Sequence, residues 1–458
     1  MCEPFIGFLN DRIIKIEEEY RMENLHDISK MILQEKSEIL GQLMLTFIEK
    51  KFGHLLHQQT CTCPLCKKKM EKHSSKSRTI ETLAGRLELK RPYFYCRGCH
   101  YGFFPLDEAL QLSDSSKQYD VQEAQTWLSS EMPYETACET IERITGMQMS
   151  EHHMHTTTNN VSQCIEMLDV FPTKEEVDKI IDDLSHNKHR RPILMLAIDG
   201  AHAPTRPEPT PHPRDMKRGK GKWKEVKGFR LYLLDQKETV HIASWHQICD
   251  DQQLASDLQA VKDAGIIDES KIRLALIGDG AAWIWNRCKE IFPSAKEILD
   301  YYHCSEYVYD VGNAYYGKET PEAGLWCERI LTSIYYGYHE EVLDELLCMK
   351  SEAKSNVEEV DKFYTYLKNN CSKMNYSTAK RGGYHIGSGA IESANKFISH
   401  VRIKRSGAWW YPENANNILK IRCAKYNGTY DKIMRKYKIV DQAQMAMNKN
   451  PKKYDSNG

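Results

Sequence analysis

The sequence predicts an α/β protein whose mixed-sheet core carries a helical insertion and follows a helical arm, a cysteine-rich ribbon and a helix-turn-helix region. Three observations support this: helical spacing of apolar residues near the start, two Cys-x-x-Cys pairs, and alternating strand and helix patterns from about residue 190. The chain has 458 residues, of which 41% are hydrophobic and 28% charged. These values are typical of globular proteins and predict about three domains.

Composition narrows the class of protein. No segment approaches the roughly 18 consecutive apolar residues of a membrane helix, and the first residues are too acidic for a signal peptide, so we expect a cytoplasmic protein without a membrane partner. Fifteen cysteines without an export signal argue against a disulfide framework. The net charge of -1 is compatible with nucleic-acid binding, because basic stretches can share one face.

The first two segments are a helical arm over residues 1–55 and a ribbon over 56–112. In the ribbon, the pair Cys63 and Cys66 is followed about thirty residues later by a second pair, Cys96 and Cys99. Strand patterns at 78–82 and 85–95 lie between the two pairs. This spacing is typical of a tetrahedral Cys₄ zinc site. A redox pair or buried thiols are the alternatives, and Cys61 is a spare that would substitute for Cys63.

Residues 113–188 predict a helix-turn-helix-like region. Helices are expected at 121–130 and 134–145, and Ser150 is a suitable N-cap for a third. The third helix has an unusually polar composition, formed by His152, His153, His155, Thr156, Thr157, Asn159 and Asn160. This face would contact bases or phosphates in a DNA groove, or the three helices form a small packing unit. Both interpretations remain open at this point.

The core is predicted in two parts, 189–318 and 383–440, separated by a helical insertion at 319–382 and followed by a disordered tail at 441–458. Strands are expected at 192–199, 228–235, 239–246, 272–279 and 296–300, with crossover helices at 251–264 and 281–291. The polar, Pro-rich and basic segment 204–227 predicts a loop that is mobile unless it binds an acidic partner.

Three isolated carboxylates stand in apolar or small-residue surroundings. Asp199 and Asp279 each end an apolar strand pattern, and Glu392 follows a Gly-rich turn that opens a helix. Together they are a suitable oxygen ligand set for two Mg²⁺ or Mn²⁺ ions. Two such ions activate a nucleophile and stabilise the leaving oxygen of a phosphodiester. Taken singly, each acid is better explained as a strand or turn cap.

Several ordered motifs resemble a known family. They are the segments 277–285, 298–303, 386–392 and 402–407, the pair Trp409-Trp410, the four cysteines, Arg78 to Gly85, and Phe104 to Asp107. Over roughly residues 60–435 the chain resembles the DDE transposases of bacterial insertion sequences, in particular the ISKra group with its Mutator-like relatives. The resemblance implies a ribonuclease-H-like core with Asp199, Asp279 and Glu392 as its metal-binding triad. It also relates Asp300-x-x-His303 to a family signature and gives His303 a role in orienting the flanking DNA or the scissile phosphate, with packing or a helix cap at the strand end as the alternative.

The function implied is binding of transposon ends, hydrolysis of a phosphodiester and strand transfer into target DNA. Double-stranded DNA would be the partner, bound by a homo-oligomer in a bacterial cytoplasm or nucleoid. From the residues we expect phosphate or base contacts by Arg402, Lys404, Arg405, Trp409, Lys217, Arg218, Lys220 and Lys222. For Trp409 and its neighbour Trp410, packing is an equal alternative, and for the loop lysines a solvated face. Competing functions are an inactive transposon-derived DNA-binding protein and a metal-dependent nuclease without strand transfer.

Overall fold

A computed structural model describes residues 3–184, 190–207, 221–234, 239–352 and 357–448. The chain divides into two compact units, one formed by Met1–Cys164 with Lys432–Gly458 and the other by Ile165–Asp431. Within the described ranges, no helix combines the length and the apolar character that spanning a bilayer requires. The architecture is mixed α/β, with an antiparallel sheet in the first unit and a mixed sheet in the second.

The described elements have the following bounds. The strands are β1 (Thr60–Thr62), β2 (Lys69–Glu81), β3 (Arg86–Cys96), β4 (Tyr101–Phe103), β5 (Ile193–Thr205), β6 (Lys222–Leu234), β7 (Thr239–Ile248), β8 (Arg273–Gly278) and β9 (Lys296–Leu299). The helices are α1 (Glu3–Glu19), α2 (Leu25–Leu56), α3 (Pro105–Ala109), α4 (Tyr119–Glu131), α5 (Tyr134–Thr145), α6 (Glu151–Gln163), α7 (Lys174–Leu184), α8 (Asp251–Asp263), α9 (Ala282–Ile291), α10 (Tyr301–Tyr316), α11 (Pro321–Tyr336), α12 (His339–Glu352), α13 (Val357–Asn370), α14 (Tyr376–Arg381), α15 (Gly389–Asn395), α16 (Val401–Ile403), α17 (Pro412–Tyr426) and α18 (Tyr430–Asn448). A π-helical turn, Lys396–His400, joins α15 to α16.

In the first unit, the predicted helical arm consists of the two helices α1 and α2. Asn24 caps α2 by accepting a hydrogen bond from Asp27 N, and the buried Glu35 of α2 pairs with Arg12 of α1 at 2.6 Å. Helix α2 then packs on β3 of the antiparallel sheet, which has the order β1-β2-β3-β4. The close approach requires glycine at position 41, because a Cβ there would lie 2.0 Å from the carbonyl oxygen of Arg86.

The three helices of the predicted helix-turn-helix region are present as α4, α5 and α6, and Ser150 caps α6 through His153 N. The polar face differs from the prediction. Thr157 is buried, and His153 is only half-exposed. A helix repeats every 3.6 residues, so adjacent polar residues cannot share one face. The exposed side is formed by His152, Thr156 and Asn160.

The second unit is built on a five-stranded mixed sheet of order β7-β6-β5-β8-β9. Strands β5, β6 and β7 pair antiparallel, whereas β8 pairs parallel with β5 and β9 pairs parallel with β8. Ile193 to Ile198 are all buried, as expected for a central strand covered on both faces. Helix α17 packs on β7, α15 packs on β5 and β6, and α11 to α14 lie in the segment 319–382 predicted as a helical insertion.

Two predictions about irregular segments require correction. Strand β5 continues to Thr205 and β6 begins at Lys222, so both ends of the predicted loop 204–227 are paired strand. The two strands form a longer hairpin than predicted, because their backbone pairing continues beyond Asp199 and Gly228. The last pair is Thr205 with Lys222. At the C-terminus, α18 runs to Asn448, which places residues 441–448 in a helix rather than in a disordered tail. Residues 449–458 lie outside the described ranges.

Candidate functional site

The four ribbon cysteines converge, as their spacing predicts. The Sγ atoms of Cys63, Cys66, Cys96 and Cys99 all lie within 4.8 Å of one another. Cys63 and Cys99 are 3.4 Å apart, as are Cys66 and Cys96, which is longer than a disulfide bond. Hairpin β2–β3 and strand β4 bring the two pairs together, and the buried Phe94, Met70 and Phe103 pack around them.

The chemistry of this cluster suits zinc. Four thiolates around a tetrahedral Zn²⁺ with Zn–S bonds of about 2.3 Å would lie close to the observed separations. The backbone N–H of Cys99 lowers the pKa of Cys96, whereas burial raises the pKa of Cys99, so without a metal the four thiols share their charge unevenly. Cys61 is not part of the cluster, and burial raises the pKa of its thiol to about 11. The Cys₄ set is therefore Cys63, Cys66, Cys96 and Cys99.

Asp199 and Asp279 are brought together by the parallel pairing of β5 and β8. Ala197 of β5 pairs with Ile277 of β8. Asp199 and Asp279 each follow this pair by two residues, so they lie at equal positions along the two strands. Neighbouring strands are about 4.8 Å apart, and residues at equal positions point to the same face. Asp279 lies directly after the end of β8, where its Oδ1 accepts a hydrogen bond from Ala281 N at 2.9 Å.

Glu392 reaches the same region from helix α15, which packs on β5 and β6. Arg230 of β6 anchors this helix by donating from Nη1 to the carbonyl oxygen of Ala390 at 2.7 Å. Ser388 precedes the helix, and its hydroxyl lies 2.9 Å from Glu392 Oε1. Asp199 and Glu392 consequently line one open groove of about 920 Å³.

Asp199 is held in an environment that disfavours its charge. Burial raises the pKa of Asp199 to about 6, and the nearby Asp279 and Glu392 carboxylates contribute to the rise. Hydrogen bonds from Gly200 N at 2.7 Å and from Asn395 Nδ2 at 2.7 Å act in the opposite direction. A buried carboxylate with two acidic neighbours is a suitable place for a cation to bind.

The three carboxylates are not gathered as tightly as the cysteines. Among the described residues, only the cysteines form a cluster of at least three metal-ligand side chains within 4.8 Å. Like charges repel one another when no cation lies between them, which gives a physical reason for the wider spacing. The oxygen donors themselves are of the type that Mg²⁺ and Mn²⁺ prefer.

Two side chains behind the acids were missed by sequence reasoning. Asn395 is 3% exposed and contacts Asp199, and the fully buried ring of His246 lies beside Asn395. His246 pairs with Gly228, which in turn pairs with Asp199, so all three share one rung of the sheet. Gly228 is required there, because a Cβ would lie 2.3 Å from His246 Nδ1. The spacing Glu392-x-x-Asn395 on one helix face is the only sequence signal for Asn395.

Asp300 also supports the site. It caps α10 by accepting hydrogen bonds from Tyr302 N and His303 N, and it accepts from both the backbone N–H and the hydroxyl of Ser388. The Ser388 hydroxyl therefore lies between Asp300 and Glu392. A hydroxyl carries one hydrogen, so it donates to one of these carboxylates at a time. The motif Asp300-x-x-His303 signalled this residue, although not its contact with Ser388.

His303 lies on the first turn of α10, away from the groove lining. Its Nδ1 is 3.3 Å from Glu306 Oε2, and its ring packs against Tyr307 and Tyr366. Burial raises the pKa of Tyr307, and the negative charge of Asp279 raises it further. This aromatic cluster therefore adjoins the Asp279 side of the site. The described contacts of His303 itself are ring packing and a polar contact with Glu306.

The residues predicted to contact DNA separate into two groups. Lys404 and Arg405 are exposed, as are Trp409 and Lys222, whereas Arg402 is 4% exposed. The guanidinium of Arg402 stacks at 4.7 Å on the ring of the buried Trp410, so the structure gives this side chain a packing contact, and its role in phosphate contact stays a prediction. The helical turn directs the side chain inward at 402 and outward at 404. Lys217, Arg218 and Lys220 lie outside the described residues.

The groove wall adds basic residues that sequence reasoning did not select. Lys396 and His400, on the π-helical turn, line the groove together with Lys404 and with His202 of β5. A π-helical turn is rare and is often found at functional sites. The groove therefore has an acidic end at Asp199 and Glu392 and a basic side along the helix that follows Glu392.

Comparison with known proteins gives a family. Residues 24–442 match the family described as "Uncharacterised protein family (UPF0236)". The chain is also similar to a "UPF0236 protein in vanSb 3'region" of Streptococcus gallolyticus, with 23% identity over 366 residues, covering 78% of this chain and 74% of the relative. The match spans the ribbon, the helical region and both parts of the mixed sheet unit. The chain therefore belongs to the uncharacterised protein family UPF0236.

Proposed function

We propose that this protein is a DDE-type transposase that binds transposon-end DNA, hydrolyses a phosphodiester and transfers the freed strand to target DNA. The observation that carries the proposal is the placement of three acids. Asp199 and Asp279 lie just beyond one rung of two parallel strands, and Glu392 approaches from a helix packed on β5. This is the arrangement that the resemblance to DDE transposases implies.

The sheet supports the same proposal. The sheet has an antiparallel β5–β6–β7 meander followed by β8 and β9, which lie parallel to β5 and on its other side. A ribonuclease-H-like core, as the resemblance implies, would have this strand order. The first Asp then lies on the central strand, and the second Asp follows the adjacent parallel strand. The helical insertion α11 to α14 falls between the second Asp and the Glu, as in Mutator-like relatives.

In this proposal Asp199, Asp279 and Glu392 hold two Mg²⁺ or Mn²⁺ ions. When bound, these ions activate the attacking oxygen and stabilise the leaving oxygen of the phosphodiester. The chain's own residues orient the ligands. Gly200 N and Asn395 Nδ2 hold the two oxygens of Asp199, and the Ser388 hydroxyl, which is shared with Asp300, lies within hydrogen-bonding distance of Oε1 of Glu392.

The basic side of the groove would bind the DNA backbone. Lys396 and Lys404 line the groove beside Glu392, at a position where cationic side chains neutralise phosphates that approach the acids. Lys222 and Arg405 are exposed and extend the basic character beyond Lys404. The zinc ribbon and the exposed side of α6 are then available to recognise the transposon end. Assembly as a homo-oligomer on paired ends completes the proposal.

The test uses purified protein and the DNA that flanks its gene on both sides. We expect Mg²⁺-dependent nicking at the element ends and joining of the new 3′ ends to a target plasmid. Asp279→Ala and Glu392→Gln should abolish both reactions while leaving binding of end DNA intact. The matched control is Asp310→Asn, because Asp310 is an exposed acid on α10 in the same unit.

The competing functions give different results in this experiment. Nicking without joining would identify a metal-dependent nuclease without strand transfer. Binding of end DNA without either reaction, in several divalent cations, would identify an inactive transposon-derived DNA-binding protein. Activity that survives in Asp279→Ala or Glu392→Gln would contradict the assignment of the acids.

A further inference from the structure

Two tryptophans form an exposed aromatic surface near the basic side of the groove. Trp223 is 55% exposed and Trp409 is 41% exposed, and their ring centroids lie 6.5 Å apart at an interplanar angle of 60°. Trp223 projects from β6 beyond the rung that holds Asp199, in the hairpin arm that pairs it with Pro204. Exposed large aromatic side chains that lie together commonly mark a binding surface.

The backbone around these rings is fixed by pairing with β5. Arg206 N donates to Trp410 O at 2.8 Å, and Trp410 N donates to Pro204 O at 3.1 Å. Arg206 also donates from Nε to Trp409 O at 2.9 Å. The neighbouring Trp410 is buried and donates from Nε1 to Ile403 O at 3.1 Å. One ring of the adjacent pair therefore packs inside, and the backbone holds the other ring, Trp409, outside.

The surface around the two rings is cationic. The Nζ of Lys404 lies 5.9 Å from the Trp223 ring, and Lys404 also lines the groove that contains Asp199 and Glu392. Lys222 and Lys224 precede and follow Trp223 along β6 and are exposed, with side chains on the opposite face of the strand from the ring, and Arg405 is exposed as well. Glu225 is the adjacent acid, and its carboxylate pairs with Lys227 at 2.5 Å. Lys222, Lys224, Lys404 and Arg405 form no ion pair with another residue of the described ranges. Aromatic faces next to such cations complement a strand that has both stacking bases and phosphates.

We propose that Trp223 and Trp409 form a platform on which unpaired bases of a DNA strand stack, while the strand's phosphates follow Lys404 towards the acids. This inference rests on the proposed function, since it names the form of DNA that the site receives: a single-stranded end rather than a fully paired duplex. Stacking is tolerant of base identity because every base has a π-face. An apolar protein partner fits less well, because the ammonium group of Lys404 lies against the exposed Trp223 ring.

The experiment measures binding of full-length protein to two probes without added divalent cation. One probe is a short duplex with a single-stranded oligo(dT) tail, and the other is the same duplex with blunt ends. We expect wild-type protein to bind the tailed probe at least about tenfold more tightly, and Trp223→Ala/Trp409→Ala to lose that preference. Trp223→Phe/Trp409→Phe, which keeps two aromatic rings, should retain most of it. Tyr336→Ala is the control, because Tyr336 is 60% exposed on α11.

The outcomes separate this inference from the proposed function. The platform is overturned if the wild type binds the two probes with equal affinity, and also if it binds neither probe. In either case the aromatic surface is better explained as a contact surface for a protein partner. A preference that persists in the double Ala variant also overturns it. Metal-dependent nicking without tail preference would retain the proposed function and reject the platform. Tail preference without nicking would retain the platform and reject the proposed function. Asp279→Ala should show the same tail preference as the wild type.

Discussion

Asn395 donates a hydrogen bond from Nδ2 to Oδ2 of Asp199 at 2.7 Å, which links the helix that carries Glu392 to the central strand of the sheet. Glu392 and Asn395 lie three residues apart on α15 and therefore on one face. The same helix thus supplies one acid and orients another.

Substitution of Asn395 should reduce catalysis more than DNA binding. In Asn395→Ala, Asp199 keeps the Gly200 N–H but loses its side-chain donor, and we expect nicking to slow by about 10- to 100-fold. Asn395→Asp should be slower still, because it places a third negative charge beside Asp199 and Glu392. Single-turnover nicking with saturating DNA and Mg²⁺ measures the effect. Asn313→Ala, at an exposed position of α10, is the control. Unchanged nicking in Asn395→Ala would show that the contact is not used.

Zinc should be required for the fold of the ribbon. Cys96→Ser removes one of four converging thiols, so we expect loss of one bound zinc ion per chain and destabilisation of the first unit by several kcal/mol. Cys61→Ser should keep the metal, because Cys61 lies outside the cluster. Metal analysis of the purified proteins and urea unfolding provide the two measurements. Full zinc content in Cys96→Ser would contradict the four-cysteine site.

The buried His246 should make the second unit sensitive to acid. Burial lowers the pKa of His246 to about 3, whereas the unfolded chain has its ordinary value of 6.5. Because the folded pKa is depressed, the unfolded state binds the proton first, and stability falls as the pH drops below about 6.5. Between pH 7 and pH 5 this residue alone should cost about 2 kcal/mol.

The comparison is between wild type and His246→Gln, with urea unfolding measured at both pH values. The variant should lose about 2 kcal/mol less than the wild type over this interval, whatever its absolute stability. His202→Gln changes an exposed histidine of the same sheet and serves as the control. Parallel pH profiles for wild type and His246→Gln would mean that His246 takes up a proton as easily in the folded protein as in the unfolded chain.

Lys404 and Arg402 should have different effects despite their proximity in the sequence. Lys404→Ala removes an exposed cation from the groove, so DNA affinity should fall and the slope of log K against log salt should decrease by about 0.9. Arg402→Ala removes a buried side chain that packs on Trp410, so stability should fall by about 1–3 kcal/mol. Salt titrations of DNA binding and urea unfolding distinguish them. A change in salt slope for Arg402→Ala at equal stability would contradict its structural role.

Local patterns in the sequence predicted most elements of this protein. Strand alternation located β5 to β9 to within a few residues at most ends, and the two Cys-x-x-Cys pairs predicted a cluster that the structure confirms. Asp199, Asp279 and Glu392 were selected because a single acidic residue after apolar or small residues can be recognised in the sequence alone. Such signals are local: they depend on residue spacing and on hydrophobic periodicity, which act over a few neighbouring residues.

The contacts around the acids required the tertiary structure. The pairing of β5 with β8 sets Asp199 beside Asp279, and no local pattern specifies which strands become neighbours. The contact between Asn395 and Asp199 joins residues 196 positions apart. Likewise, the burial of Arg402 and the exposure of Lys404 follow from how one helical turn packs against Trp410. The sequence by itself determined which residues are able to bind metal or DNA, and only long-range packing decided which of them meet, because packing energies depend on partners distant along the chain.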